Sequence, residues 1–291
     1  MKFSVNLNGI SRLNTDIELG DINIITGPNG SGKTLLIKVI YAVMKALTKP
    51  SPEALHRGGA EIEKTVEQYV EDELLRILGT KPTGVIELIG EDGDRITISA
   101  ARDRIAVDLS RVGNIISELY TKFFPAVLAP IERARVLRTE QPAYDDLTEL
   151  SELMKNLKSE ARIYGKFDIK SDELGLGVTV YGNGFTATIG GAEVDVDKLP
   201  YGYAQLIPIL LLPRSYKFII IDEPALNLDP RMQHHLAAYL YRLVDEGRRI
   251  LVTTHSDALI AELVSNYAKR GKTKGKSIKI YLLDDGKATT I

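Results

Sequence analysis

The sequence predicts an α/β protein with a mainly parallel central sheet, accompanied by an antiparallel β portion and a helical arm. Three observations lead there. The last third alternates strand and helix: Lys217 to Ile221, helix Pro230 to Gly247, Ile250 to Thr253, helix Ser256 to Tyr267, then Ile278 to Leu283. That rhythm belongs to parallel strands joined by crossover helices. Near the start, an apolar run from Ile22 to Thr26, a glycine-rich turn and a helical pattern from Leu35 to Leu47 follow one another directly. Between these regions, short alternating runs separated by Gly, Asp and Asn read as hairpins.

Taken in order, Lys2 to Leu7 and Thr15 to Leu19 read as short strands, and Asp21 to Thr26 as the strand that enters the glycine-rich turn. Pro50 and Pro52 end the helix after that turn. Apolar residues at Ile62, Val66, Val70, Leu74 and Leu78 then predict a helix over Ala60 to Leu78, within a helical insertion at about 50–80. Val85 to Ile89, Arg95 to Ser99 and Ile105 to Leu109 read as strands, and Ile115 to Phe123 as a helix. Val127 to Ala129 is a short strand stopped by Pro130. The apolar spacing of Tyr144 to Tyr164 is helical and predicts an arm on the core. Val178 to Tyr181 and Phe185 to Ile189 form a hairpin pattern, and a helix from Tyr203 to Leu212 ends at Pro213. The expected organisation is one domain over residues 1–291, with a helical lobe at about 140–213.

Composition sets outer limits. With 291 residues, 44% hydrophobic and 26% charged, the chain has material for a proper core. A formal net charge of −2 gives no global basic field for nucleic acid or anionic membrane, so any such contact needs a local patch. The densest basic run is Lys269, Arg270, Lys272, Lys274 and Lys276, read either as a solvated loop or as a contact for DNA or RNA phosphates. Cysteine is absent, and no apolar run approaches a membrane-spanning length. The expectation is a soluble, cytoplasmic protein.

Gly27-Pro28-Asn29-Gly30-Ser31-Gly32-Lys33-Thr34 fits the phosphate-loop pattern G-x-x-x-x-G-K-[ST] without a mismatch. Glycines let backbone N–H groups close around phosphate oxygens, the helix start adds positive dipole, Lys33 supplies a charge and Thr34 a Mg²⁺ ligand. Phe218 to Ile221 followed by Asp222, Glu223 and Pro224 has the form of a Walker B segment. Side chains alternate along a strand, so Asp222 is assigned to the metal shell and Glu223 to the attacking water as catalytic base. His255, after Leu251 to Thr254, is assigned to the γ-phosphate. Consecutive His255, Ser256 and Asp257 cannot fold into a nucleophilic triad. Neighbouring His234 and His235 face differently on one helix and do not make a metal pair. Asp229 before Pro230 reads as a helix N-cap.

Phosphate loop, Asp222-Glu223-Pro224 with Leu228-Asp229, and Thr253-Thr254-His255-Ser256-Asp257, in this order and spacing, resemble the ABC-type ATPase head. Asn8 to Arg12, Pro130-Ile131-Glu132-Arg133, Ala225 to Pro230 and Thr254 to Ile260 are similar, more narrowly, to the soluble AAA-named ATPases of the RecF, SMC and overcoming-lysogenisation-defect group. The resemblance covers most of the chain outside Pro50 to Thr80. It implies a P-loop NTPase fold, ATP and Mg²⁺ as ligands, and two heads closing over two nucleotides. Gly202 and Asp229 would then face the partner subunit's nucleotide. Arg12 would approach the adenine or a phosphate, or else lie on solvated surface. Either Glu132 or Arg133 would take the place of the family's coupling glutamine, or else form a surface ion pair.

One position departs from the pattern. Leu199-Pro200-Tyr201-Gly202-Tyr203-Ala204-Gln205 keeps the leucine, glycine and glutamine of the L-S-x-G-x-x-Q signature, but Pro200 replaces the serine. A hydrogen bond to a charged group is worth about 1.5–3 kcal/mol, so its loss weakens closure by about tenfold or more. The reading that follows is a Mg²⁺-dependent ATPase acting as a dimerising switch in DNA repair, genome maintenance or mobile-element defence. The alternatives are a transporter's ATP-binding subunit and a low-turnover regulator of a protein partner.

Overall fold

The computed structural model describes residues 1–9, 12–137, 147–271 and 274–291. The expected helix start at 144–146, Ile10, Ser11 and Lys272 lie outside the described residues. By its backbone contacts the chain divides into two compact units: residues 1–126, 251–255 and 277–291, and residues 127–250 and 256–276.

The first unit holds the antiparallel β portion. Strands β1 (Lys2–Asn8), β2 (Leu13–Glu18), β4 (Thr83–Ile89), β5 (Arg95–Ala100) and β6 (Ile105–Arg111) form a sheet in the order β2-β1-β4-β5-β6. Register follows from alternation: Phe3 pairs with Ile17 and Leu88, and Val5 with Thr15 and Ile86, so one face is buried on each strand. β3 (Ile22–Thr26) pairs in parallel with β14 (Ile278–Asp284), which turns back antiparallel into β15 (Lys287–Thr290). β13 (Arg249–Thr253) lies on the other side of β3.

Helix α1 (Lys33–Leu47) is buried along most of its length. α2 (Pro52–Arg57) is capped by Ser51, whose side chain accepts from the Ala54 N–H. α3 (Ala60–Leu78) is the predicted insertion helix, and it ends at Gly79 with φ 72. Its inner stripe of Val66, Val70, Leu74 and Ile77 is buried, and it lies against α1 and β6. The Val107 N–H donates to Glu67 Oε1 at 3.2 Å and the Leu109 N–H to Glu63 Oε1 at 3.3 Å. Two outward donors of the edge strand β6 are therefore satisfied by carboxylates of α3. The predicted helix at Ile115 to Phe123 is α4 (Ile115–Glu118) continued by a π turn.

The second unit contains β7 (Ala126–Ala129, apart from its first residue) and β12 (Phe218–Asp222), which lies between β7 and the opening of β13. A separate antiparallel sheet has the order β11-β10-β9-β8, built from β8 (Phe167–Ser171), β9 (Leu176–Tyr181), β10 (Gly184–Ile189) and β11 (Ala192–Asp195). The expected lobe at about 140–213 is thus half sheet. The hairpin pattern reveals only β9 and β10, because β8 and β11 are short and mostly solvent-facing. α5 (Thr148–Tyr164) lays its apolar stripe on β9. α6 (Tyr201–Leu211) is buried from Ala204 onward, and α7 (Pro230–Asp245) pairs with α8 (Asp257–Asn266).

Candidate functional site

In the first unit, β3 delivers the phosphate loop. Gly27 has φ 144, and a Cβ there would lie 2.0 Å from the Leu283 carbonyl oxygen, so β14 admits only glycine at the loop's first position. The loop feeds α1 at Lys33, with Gly32 as N-cap, no side-chain cap and no acidic residue in the first turn. The positive end of α1 is left for an anion. Lys33 is buried, and its Nζ donates to the carbonyl oxygens of Gly27 and Pro28 at 2.9 Å each. Ser31 Oγ is buried without a hydrogen-bond partner. A buried ammonium, an orphaned hydroxyl and an uncapped helix start fit a phosphate group. Thr34 is exposed, and no cluster of three or more His, Cys, Asp or Glu among the described residues would hold a metal alone. A Mg²⁺ here fits as an ion that shares its shell with phosphate oxygens.

Arg12 and His255 belong to the same unit. Leu13 Cδ2 lies 2.9 Å from where a Gly32 Cβ would stand, and a Gly286 Cβ would meet the Arg12 carbonyl at 2.0 Å. The Gly286 N–H in turn donates to the Ser31 carbonyl at 3.3 Å. Arg12, with an exposed side chain, therefore sits beside the loop. The N–H of buried Thr254 donates to the Ile25 carbonyl at 3.0 Å, so the exposed His255 leaves β13 alongside the strand that ends in the loop.

In the second unit, β12 is buried at every residue and carries Asp222 at 2% exposure. Glu223 follows in a left-handed conformation, φ 46, which turns the chain sharply off the strand. Arg133 is fully buried beside this turn. Its guanidinium donates to the carbonyls of Gln205 at 3.1 Å, Pro130 at 3.1 Å, Asp222 at 2.9 Å, Glu223 at 3.3 Å and Pro224 at 3.4 Å. Burial lowers its pKa to about 10 against the pull of Asp222, Tyr201, Glu223 and Glu132, and it is charged at neutral pH. The expected surface ion pair is thus corrected for Arg133; only Glu132 is exposed. The Pro-Ile-Glu-Arg segment drew attention in the sequence, but no periodicity marks its arginine as interior.

Gly202 lies near the start of α6, where a Cβ would come within 2.9 Å of the Asn227 carbonyl. Pro200 occupies the N-cap position and gives no side-chain cap. Asp229 is exposed, and its Oδ1 accepts from the Met232 N–H at 2.9 Å, which is the N-cap role read from the sequence. His234 Nδ1 meets Glu262 Oε2 at 2.8 Å, with His235 beside it ring to ring. In the basic run, Lys269 and Arg270 are exposed and Lys274 pairs with Asp245 at 2.8 Å.

Residues 10–117 match the family model for the ABC transporter. Residues 190–261 match a model whose description names an AAA domain, the AbiEii toxin and the Type IV TA system. The ABC transporter ATP-binding/permease protein Rv1747 of Mycobacterium tuberculosis is 37% identical over 65 residues, covering 22% of this chain and 8% of its own length. UvrABC system protein A of Thermus thermophilus is 25% identical over 297 residues, covering 90% of this chain and 30% of its own. The chain thus spans less than a third of either curated relative. Among solved structures, the SMC head domain from Thermotoga maritima is 14% identical with a TM-score of 0.47, over 100% of this chain and 97% of that one. That likeness is too low to bear on function.

Proposed function

We propose that this chain, an ABC-type P-loop ATPase head, binds and hydrolyses ATP with Mg²⁺ and works as a dimerising switch. The carrying observation is the loop itself, where buried Lys33 rests on two backbone carbonyls and Ser31 Oγ has no partner. Both gain charged oxygens when a phosphate enters. In this reading Gly27 to Thr34 hold the phosphates, and Thr34 and Asp222 would hold the metal. Bound Mg²⁺ would neutralise charge building on the phosphate oxygens. Glu223 polarises the water whose oxygen attacks the γ-phosphorus as the bond to ADP breaks, and His255 donates to the transferred group. Arg12 lies beside the loop and contacts the adenine or a phosphate.

Gly202 and Asp229 are assigned to the nucleotide of a second copy, so the proposed working form is a homodimer in the cytoplasm. Pro200, with no side-chain hydroxyl, makes closure weaker than in a serine-bearing head. The role read from the sequence resemblance is DNA repair, genome maintenance or mobile-element defence. DNA or RNA contact would fall to the basic run of Lys269, Arg270, Lys272, Lys274 and Lys276. A transporter ATP-binding subunit is the second reading, favoured by the model over residues 10–117. No helix among the described residues is long and apolar enough to cross a membrane.

The test is Glu223→Gln, expected to keep ATP, to lose about 10²–10⁴-fold in turnover and to accumulate a dimer by mass measurement. Equal hydrolysis by wild type and variant would sink the assignment. Stimulation of the wild type by DNA or RNA would support the nucleic-acid role, and co-purification with a membrane protein would favour the transporter.

A further inference from the structure

We propose that Arg133 is a positioning residue that fixes the direction of Glu223 and ties it to helix α6. The inference rests on the reading of Glu223 as the catalytic base. All five N–H donors of a guanidinium have acceptors here, and every acceptor is a backbone carbonyl. Those carbonyls come from three segments: Pro130 after β7, Gln205 within α6, and the turn at Asp222, Glu223 and Pro224. An arginine guanidinium is a planar fork of five donors in fixed geometry, with no acceptor of its own. This one gathers three consecutive carbonyls of the turn that aims the base.

The conformation at Glu223 explains the need. With φ 46, the strand stops and successive carbonyl dipoles converge instead of alternating. Converging negative ends repel, and one buried cation between them holds the turn in that form. Without it the backbone at 222–224 relaxes toward ordinary φ, and the Glu223 carboxylate points elsewhere.

The link to α6 is made twice more. Gln205 Nε2 donates back to the Ile131 carbonyl at 2.9 Å, next to the arginine's own segment. Near the start of the same helix, Gly202 abuts the Asn227 carbonyl, at the far end of the loop that begins with Glu223. A shift of α6 is therefore felt on both sides of the base.

The experiment measures ATP turnover, nucleotide affinity and thermal midpoint in the full chain for Arg133→Lys, Arg133→Ala, Gln205→Asn and Glu223→Gln. A lysine has no planar fork and cannot reach the same carbonyl set. Arg133→Lys is expected to lower kcat by about tenfold or more, with KM and nucleotide affinity changed less than about threefold, as for an interaction needed only in the transition state. Added guanidinium should restore turnover to Arg133→Ala and leave Glu223→Gln unchanged. Gln205→Asn, which cannot span to Ile131, should lower kcat more mildly and also spare affinity.

A folded Arg133→Lys protein with wild-type kcat overturns the proposal. So does a loss confined to affinity, or one that tracks only the unfolded fraction. An unchanged kcat in Gln205→Asn overturns the tie to α6. If Glu223→Gln turns over normally, the base assignment itself has failed; if it is inactive while Arg133→Lys is normal, only the present inference falls.

Discussion

The Lys33 ammonium donates at 2.9 Å to the carbonyl oxygen of Gly27, the residue that opens its own loop. A lysine bonded in this way ties the start of α1 back to the first residues of the loop. Phosphate binding exchanges two neutral acceptors for charged ones, each worth about 1.5–3 kcal/mol in a charge-assisted bond. Lys33→Ala is therefore expected to weaken ATP binding by about 10–100-fold in titration calorimetry, with little change in the melting temperature. Undiminished affinity would remove Lys33 from the site.

Gly286 is fixed by a different neighbour. A Cβ there would lie 2.0 Å from the Arg12 carbonyl, while its own N–H and carbonyl bond to Ser31 and Asn14. Gly286→Ala must displace the β14–β15 turn from the phosphate loop, at a cost of about 1–3 kcal/mol. Gly30→Ala is the comparison: its φ is 76 but nothing lies within 4 Å, leaving only the backbone cost of about 1 kcal/mol. Chemical unfolding should rank Gly286→Ala as the less stable, and nucleotide affinity should fall with it.

Glu73 supplies a pH dependence. Burial pushes its carboxyl up, but hydrogen bonds from Lys49 and Arg76 and the charges of Arg76 and Lys45 outweigh that, and the net shift is downward. A carboxylate with a lowered folded pKa stabilises the protein above its ordinary titration range, near pH 4, and loses that contribution as pH falls. Lys49 and Arg76 are 34% and 24% exposed, so screening keeps the effect modest. Glu73→Gln should cost about 1 kcal/mol at neutral pH and progressively less as the solution is acidified. A difference that grew on acidification would reverse the assignment.

Much of this was readable from residue patterns, and the failures share a cause. α3 is found over Ala60 to Leu78 because Val66, Val70 and Leu74 recur on one face. The phosphate loop is legible because its glycines, lysine and threonine are set by local chemistry. β15 (Lys-Ala-Thr-Thr) and β11 (Ala-Glu-Val-Asp) are held by hydrogen bonds to β14 and β10 and bury no side chain, so no alternation announces them. Arg133 is the sharper case. Its acceptors on Gln205 and Asp222 lie 72 and 89 residues away, and a cation made interior by such distant segments leaves no mark on its own neighbourhood.

The two carboxylates of α3 that meet the N–H groups of Val107 and Leu109 do more than satisfy donors. An open β edge is a template on which a strand from another molecule can add itself. Here an incoming strand would first have to evict Glu67 and Glu63, and would bring its own carbonyl oxygens toward their negative charge. That margin of the antiparallel sheet is thereby closed to unplanned pairing, and association between copies is steered to other surfaces.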